Sequence, residues 1–180
     1  AGESIFTWHE ILPALPAHHR VIAPDLKGFG RSDKPDDGAY TADDQAALVA
    51  RFIQERGLEQ LDIVGHSFGG TVALRTALAD GIAGTGRIRR IAVIGAPALP
   101  RTTARRLDLV KTPVIPDTLP AALPPVRLAR LLLGEAMGGR TPSDEDVEGY
   151  AAPYHDAAAM EAFLARARTI VSGAGAKGTG

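Results

Sequence analysis

Leu61-Asp62-Ile63-Val64-Gly65-His66-Ser67-Phe68-Gly69-Gly70-Thr71-Val72-Ala73-Leu74 is the stretch on which the fold turns. Leu61 to Val64 is a short, mostly apolar run that reads as a strand, and Thr71 to Leu78 reads as a helix. Between them stands Gly65-x-Ser67-x-Gly69, followed at once by Gly70. Strand, sharp turn and helix in that order make a nucleophile elbow, which holds a serine proud of the sheet on a strained turn. Glycine two positions before and two after the serine lets strand and helix approach without Cβ clashes. Ser67 is therefore the candidate nucleophile. It sits at a helix N-terminus, where backbone N–H groups and the helix dipole favour developing negative charge. His66 is its neighbour on the elbow, points away from it, and is read as structural.

Working back towards the N-terminus, Thr41-Ala42-Asp43-Asp44 opens a helix with a capping box of the T-x-x-D kind. Leu48, Phe52 and Ile53 form its expected buried stripe, and Gly57 ends it. Before that, Val21 to Ala23 reads as a strand feeding the loop Asp25-Leu26-Lys27-Gly28-Phe29-Gly30-Arg31-Ser32-Asp33-Lys34-Pro35. Its glycines permit conformations closed to other residues, and Asp25 reads as a carboxylate that braces the loop.

Working forward, a glycine-rich connection from Gly81 to Gly86 leads to a third strand, Ile91 to Ile94. Strands alternating with helices predict a parallel sheet covered on both faces, an α/β architecture. Residues 97 to 125 then carry seven prolines, Pro97, Pro100, Pro113, Pro116, Pro120, Pro124 and Pro125, and read as a linker. Beyond it the pattern is helical. Val126 to Leu133 is one helix, Gly138-Gly139 a turn, Ser143 the cap of a second helix, and Asp156 the start of a third. Met160, Phe163, Leu164, Ala167 and Ile170 fall on one face of that third helix.

Three blocks together resemble the α/β-hydrolase superfamily, in the branch of capped esterases, lactonases, perhydrolases and carbon–carbon bond hydrolases. They are Phe6-Thr7-Trp8-His9-Glu10-Ile11-Leu12-Pro13-Ala14-Leu15, the run from Val21 to Pro35, and the elbow. The resemblance implies an α/β-hydrolase core over residues 1–112, incomplete at both ends, a helical cap over 113–171, and a low-complexity tail over 172–180. It implies an acyl-enzyme on Ser67, with the backbone N–H of Phe68 as one oxyanion donor and Ala1 as a candidate second. It implies a small ester, lactone or related carbonyl substrate, with Met160 and Phe163 in the lid over it.

The resemblance also orders the triad as serine, acid, histidine. His9, His18 and His19 precede Ser67, and His155 alone follows it. His155 is a candidate base, but a position at the start of a cap helix suits a surface or capping role better. The expectation is a fragment whose triad acid and histidine lie past Gly180. A scaffold without a placed base would alternatively serve as a non-catalytic small-molecule binding module.

Composition narrows the partners. A net charge of -1 over 180 residues offers nothing to nucleic acid or to an anionic membrane, and Arg101, Arg105 and Arg106 read as a solvated face. The chain has no cysteine, hence no disulfide or thiolate metal site, which suits a cytoplasmic, reducing compartment. No cofactor or metal is expected, and the oligomeric state is open.

Overall fold

Two parallel strands with a helix crossing between them form the middle of the chain. The computed structural model describes residues 4–15, 19–96, 124–156 and 159–160. These divide into two units, one within Asp37–Lys111 and the other within Gly2–Asp36 and Thr112–Ser172.

In the first unit, α1 (Ala42–Glu55) begins where the capping box demands. Thr41 Oγ1 accepts from the Asp44 N–H, and Asp44 Oδ2 accepts in return from the Thr41 N–H at 2.9 Å. It ends in a Schellman pair, with the Leu58 N–H donating to Ile53 O and the Gly57 N–H to Gln54 O. The buried face differs from the expected stripe. Gln45, Ala46 and Ile53 are buried, Phe52 is half-buried, and Leu48 is exposed. Leu48 lies two residues beyond Ala46, about 200° round the helix, and so turns away from the face that packs on the next helix.

β1 (Leu61–His66) and β2 (Ile88–Ile94) pair in parallel, with Ile63 opposite Ile91 and Gly65 opposite Val93. α2 (Phe68–Ile82) makes the crossover. β2 starts three residues earlier than its apolar run, because Arg89 and Arg90 carry charge into the strand. Arg89 grips the Asp62 carboxylate of β1 with two bonds of 3.1 and 2.9 Å, and Arg90 approaches it at 3.9 Å. Asp80 fastens the turn between α2 and β2. Its carboxylate accepts from the Thr85 hydroxyl and from the Ile88 N–H.

The second unit holds no strand at Val21 to Ala23, contrary to the sequence reading. A strand exists only as part of a ladder, and among the described residues nothing pairs with this one. The loop after it is ordered by Asp25, which accepts from the Ile5 N–H at 2.6 Å and the Arg31 N–H at 2.9 Å. A Cβ on Gly30 would overlap that carboxylate, so this position admits only glycine.

α3 (Pro125–Ala136) and α4 (Asp144–Ala151) form a pair closed by Ala129, Val147 and Ala151. Pro125 sits at the first helical position, where its missing N–H costs no hydrogen bond. Ser143 caps α4 by accepting from the Asp146 N–H at 3.0 Å. Asp156 accepts from the Ala159 N–H, as a helix cap does. Met160 is buried with Leu128 and Tyr154. Residues 97–123, with Arg101, Arg105 and Arg106, the residues Phe163, Leu164, Ala167 and Ile170, and the tail all lie outside the described residues.

Candidate functional site

Ser67 caps α2 with φ 51° and ψ -123°, a conformation far from those L residues prefer. Three bonds hold it there. Its N–H donates to Ile94 O at 2.8 Å, tying the elbow to the end of β2, and its own carbonyl accepts from the Gly70 and Thr71 N–H groups. Among the described residues nothing hydrogen-bonds to Ser67 Oγ.

The turn closes because its glycines touch. A Cβ on Gly65 would run into the Gly69 carbonyl and lie 2.7 Å from Gly70 Cα. A Cβ on Gly70 would lie 2.7 Å from Ala96 Cβ and 3.0 Å from Val93 Cγ1. Gly69 has open space instead. The sequence reading placed the crowding at Gly65 and Gly69; the structure moves its second half to Gly70. A small residue at Ala96, just after β2, was the signal available for this.

Phe68 is the first residue of α2, so its amide lies at the positive end of the helix dipole. Thr71, one turn into α2, buries a hydroxyl that has no hydrogen-bond partner among the described residues. His66 ends β1, and its Nε2 lies close to the position a Cβ on Gly95 would take.

The other named residues belong to the second unit or lie outside the description. His155 Nε2 is 2.8 Å from Glu148 Oε1, both side chains being about half exposed or more. His9 stacks on Phe6 with ring centroids 4.2 Å apart, and its Nδ1 is 2.9 Å from Phe6 O. Ala1 lies outside the described residues. Among those described, no group of three His, Cys, Asp or Glu side chains could hold a metal, and no helix is long and apolar enough to cross a membrane.

Such an elbow between parallel strands matches a known family. A family model described as alpha/beta hydrolase fold matches residues 2–152, and the chain belongs to that family. Over 103 residues, 57% of this chain, it is 36% identical to a 2-hydroxymuconate semialdehyde hydrolase of Pseudomonas sp. strain CF600, covering 35% of that protein. It is 37% identical over 71 residues, 39% of this chain, to a soluble epoxide hydrolase of a Corynebacterium species, covering 24% of it. The chain thus spans about a third of the length, or less, of these curated relatives. Among solved structures, a mutant of the meta-cleavage product hydrolase CumD superposes with a TM-score of 0.65 at 26% identity, over 93% of this chain and 59% of the other. The epoxide hydrolase CorEH superposes with a TM-score of 0.74 at 22% identity, over 93% and 62%, a likeness of fold.

Proposed function

We propose that the protein is a serine hydrolase that cleaves a small ester, lactone or related carbonyl substrate through an acyl-enzyme on Ser67. The strained backbone of Ser67 at the head of α2 carries this reading. A serine in that place presents its hydroxyl outward with a helix N-terminus behind it. Attack forms the Ser67 Oγ–carbon bond and moves the carbonyl electron pair onto oxygen, while the hydroxyl proton passes to a base. Collapse expels the leaving group, and water then releases the acid and regenerates Ser67. The oxyanion takes a hydrogen bond from the Phe68 N–H and a second from the segment containing Ala1. Relatives named as hydrolases support the class of reaction. His155, held by Glu148, is given a surface role.

The test, made on the full-length protein, is labelling with a fluorophosphonate, together with hydrolysis of p-nitrophenyl acetate. Label is expected on Ser67, and Ser67→Ala is expected to lower turnover on the order of a thousandfold or more. His155→Gln is expected to leave labelling intact. Turnover that survives Ser67→Ala would overturn the assignment; a protein that binds small acyl compounds but takes no label would be the binding module instead.

A further inference from the structure

Of the glycines Gly65, Gly69 and Gly70 at the elbow, close packing explains the first and the last. A Cβ on Gly65 would meet the Gly69 carbonyl, and one on Gly70 would meet Ala96 Cβ and Val93 Cγ1. Gly69 has neither crowding nor an unusual backbone to require it. It lies within α2 and is not one of the glycines with a positive φ. Apart from its two chain neighbours and the backbone of its own helix, no described atom stands within 4 Å of the place its Cβ would take. Glycine inside a helix costs stability relative to alanine, so the fold alone favours a side chain here. Gly81, near the other end of α2, is equally open, but the helix is ending there and Gly81 O accepts from the Gly84 N–H of the following turn. Gly69 is in the first turn, two residues after Ser67.

The position of the gap suggests what fills it. Every Cα–Cβ bond of an α-helix leans towards the N-terminus, so a side chain at 69 would lean towards the end of α2 that carries Ser67 and the Phe68 amide. Gly70, one position on, is buried against β2, whereas Gly69 is part exposed, so the gap faces outward and not into the sheet. In an acyl-enzyme on Ser67 the oxyanion takes the Phe68 N–H, and the acyl chain stays beside it through attack and deacylation alike. We propose that Gly69 is a specificity-determining residue, whose missing side chain leaves the room that the substrate's acyl chain occupies next to the oxyanion. The substrates this favours are carbonyl compounds with an acyl part longer than acetyl, because an acetyl group has no chain to fill the gap. The inference rests on the reading of Ser67 and Phe68 given above.

The experiment uses the full-length protein and straight-chain p-nitrophenyl esters, from acetate to the longest that the parent hydrolyses. It reads kcat/KM for each ester and the urea midpoint of each variant. Gly69→Ala is expected to keep the midpoint at or above the parent's and to lower the ratio of long-chain to acetate kcat/KM about tenfold or more, the scale of one methylene in an apolar pocket. Gly69→Val is expected to lower the ratio further. Gly81→Ala, the same change in an equally open place far from Ser67 along the helix, is expected to leave the ratio unchanged. A folded Gly69→Ala variant with the parent's ratio overturns the proposal. So does an equal fall for every ester, which would mean damaged chemistry and not lost room, or a matching fall in Gly81→Ala. A Gly69→Ala variant that does not fold overturns it too, because the gap would then not be open, and so does a parent that hydrolyses acetate alone. Turnover absent from the parent, or surviving Ser67→Ala, would refute the nucleophile reading and this proposal together. Turnover lost in Ser67→Ala, with the ratio unmoved by Gly69→Ala, refutes only the role of Gly69.

Discussion

Ser67 holds its backbone at a cost of about 1–3 kcal/mol, the usual range for such conformations, and its surroundings have to supply that stability. They do so at Ile94 O, which fixes the Ser67 N–H, and at the contact between the two ends of the elbow. Gly70 is the sensitive point. A methyl group there must displace Ala96, Val93 or the Gly65 carbonyl, and overpacking of this kind costs about 1–3 kcal/mol. Gly69 is also in the first turn of α2 but in open space, where alanine relieves the entropic penalty of a helical glycine, worth about 0.5–1 kcal/mol. Urea unfolding is therefore expected to rank Gly69→Ala at or above the parent and Gly70→Ala clearly below it. The reverse ranking would mean that the elbow closes elsewhere. The G-x-S-x-G string made Ser67 legible from sequence, because the order of strand, serine and helix is local. It did not show which following glycine is crowded, since that depends on Val93 and Ala96 across the crossover.

Among the elements, those with local chemical signals were legible and those defined by partners were not. Thr41 with Asp44, and Ser143 with Asp146, announce helix starts in the sequence itself, and both caps form. β2 began earlier than its apolar run because Arg89 and Arg90 hide in the strand by pairing with Asp62. Val21 to Ala23 has the composition of a strand but no ladder among the described residues. The turn into β2 carries its own pH dependence. The Thr85 hydroxyl first, and the Ile88 N–H after it, hold the Asp80 carboxyl below the ordinary carboxylate range. A carboxylate with a lowered folded pKa contributes stability that is fully present above the unfolded value of about 3.9 and is lost as pH falls through the folded value. Asp80→Asn should accordingly lower the denaturation midpoint at pH 7, and the gap to the parent should narrow below about pH 4. An equal gap at pH 7 and pH 3 would show that the carboxylate's charge plays no part.

At the scale of the molecule, contacts group the described residues of Gly2–Asp36 with those of Thr112–Ser172, whereas the sequence reading divides core from cap at residue 112. A linear reading sees neighbours in sequence, and the seating of Phe6 on Gly149 is a contact across more than a hundred residues that no local pattern announces. In the other unit the sheet has two strands among the described residues, and a two-stranded sheet by itself is rarely stable in water. The face of that sheet carrying Val64 and Ile94 leaves them 52% and 49% exposed, and at the end of α2 Ile82 is 88% exposed. Large apolar groups exposed together on one sheet face, as Val64 and Ile94 are, mark surface that associates. The 180-residue chain, purified by itself, is therefore expected to bind the dye ANS and to elute as species larger than a monomer, increasingly so with concentration. Val64→Thr with Ile82→Lys should reduce both signals while leaving the elbow's own contacts in place, since neither side chain takes part in them. Light scattering coupled to gel filtration, run beside ANS titration, makes the comparison. A parent chain that stays monomeric and dark to ANS would show that these side chains are covered in solution, and the exposed face could no longer be counted as a source of association.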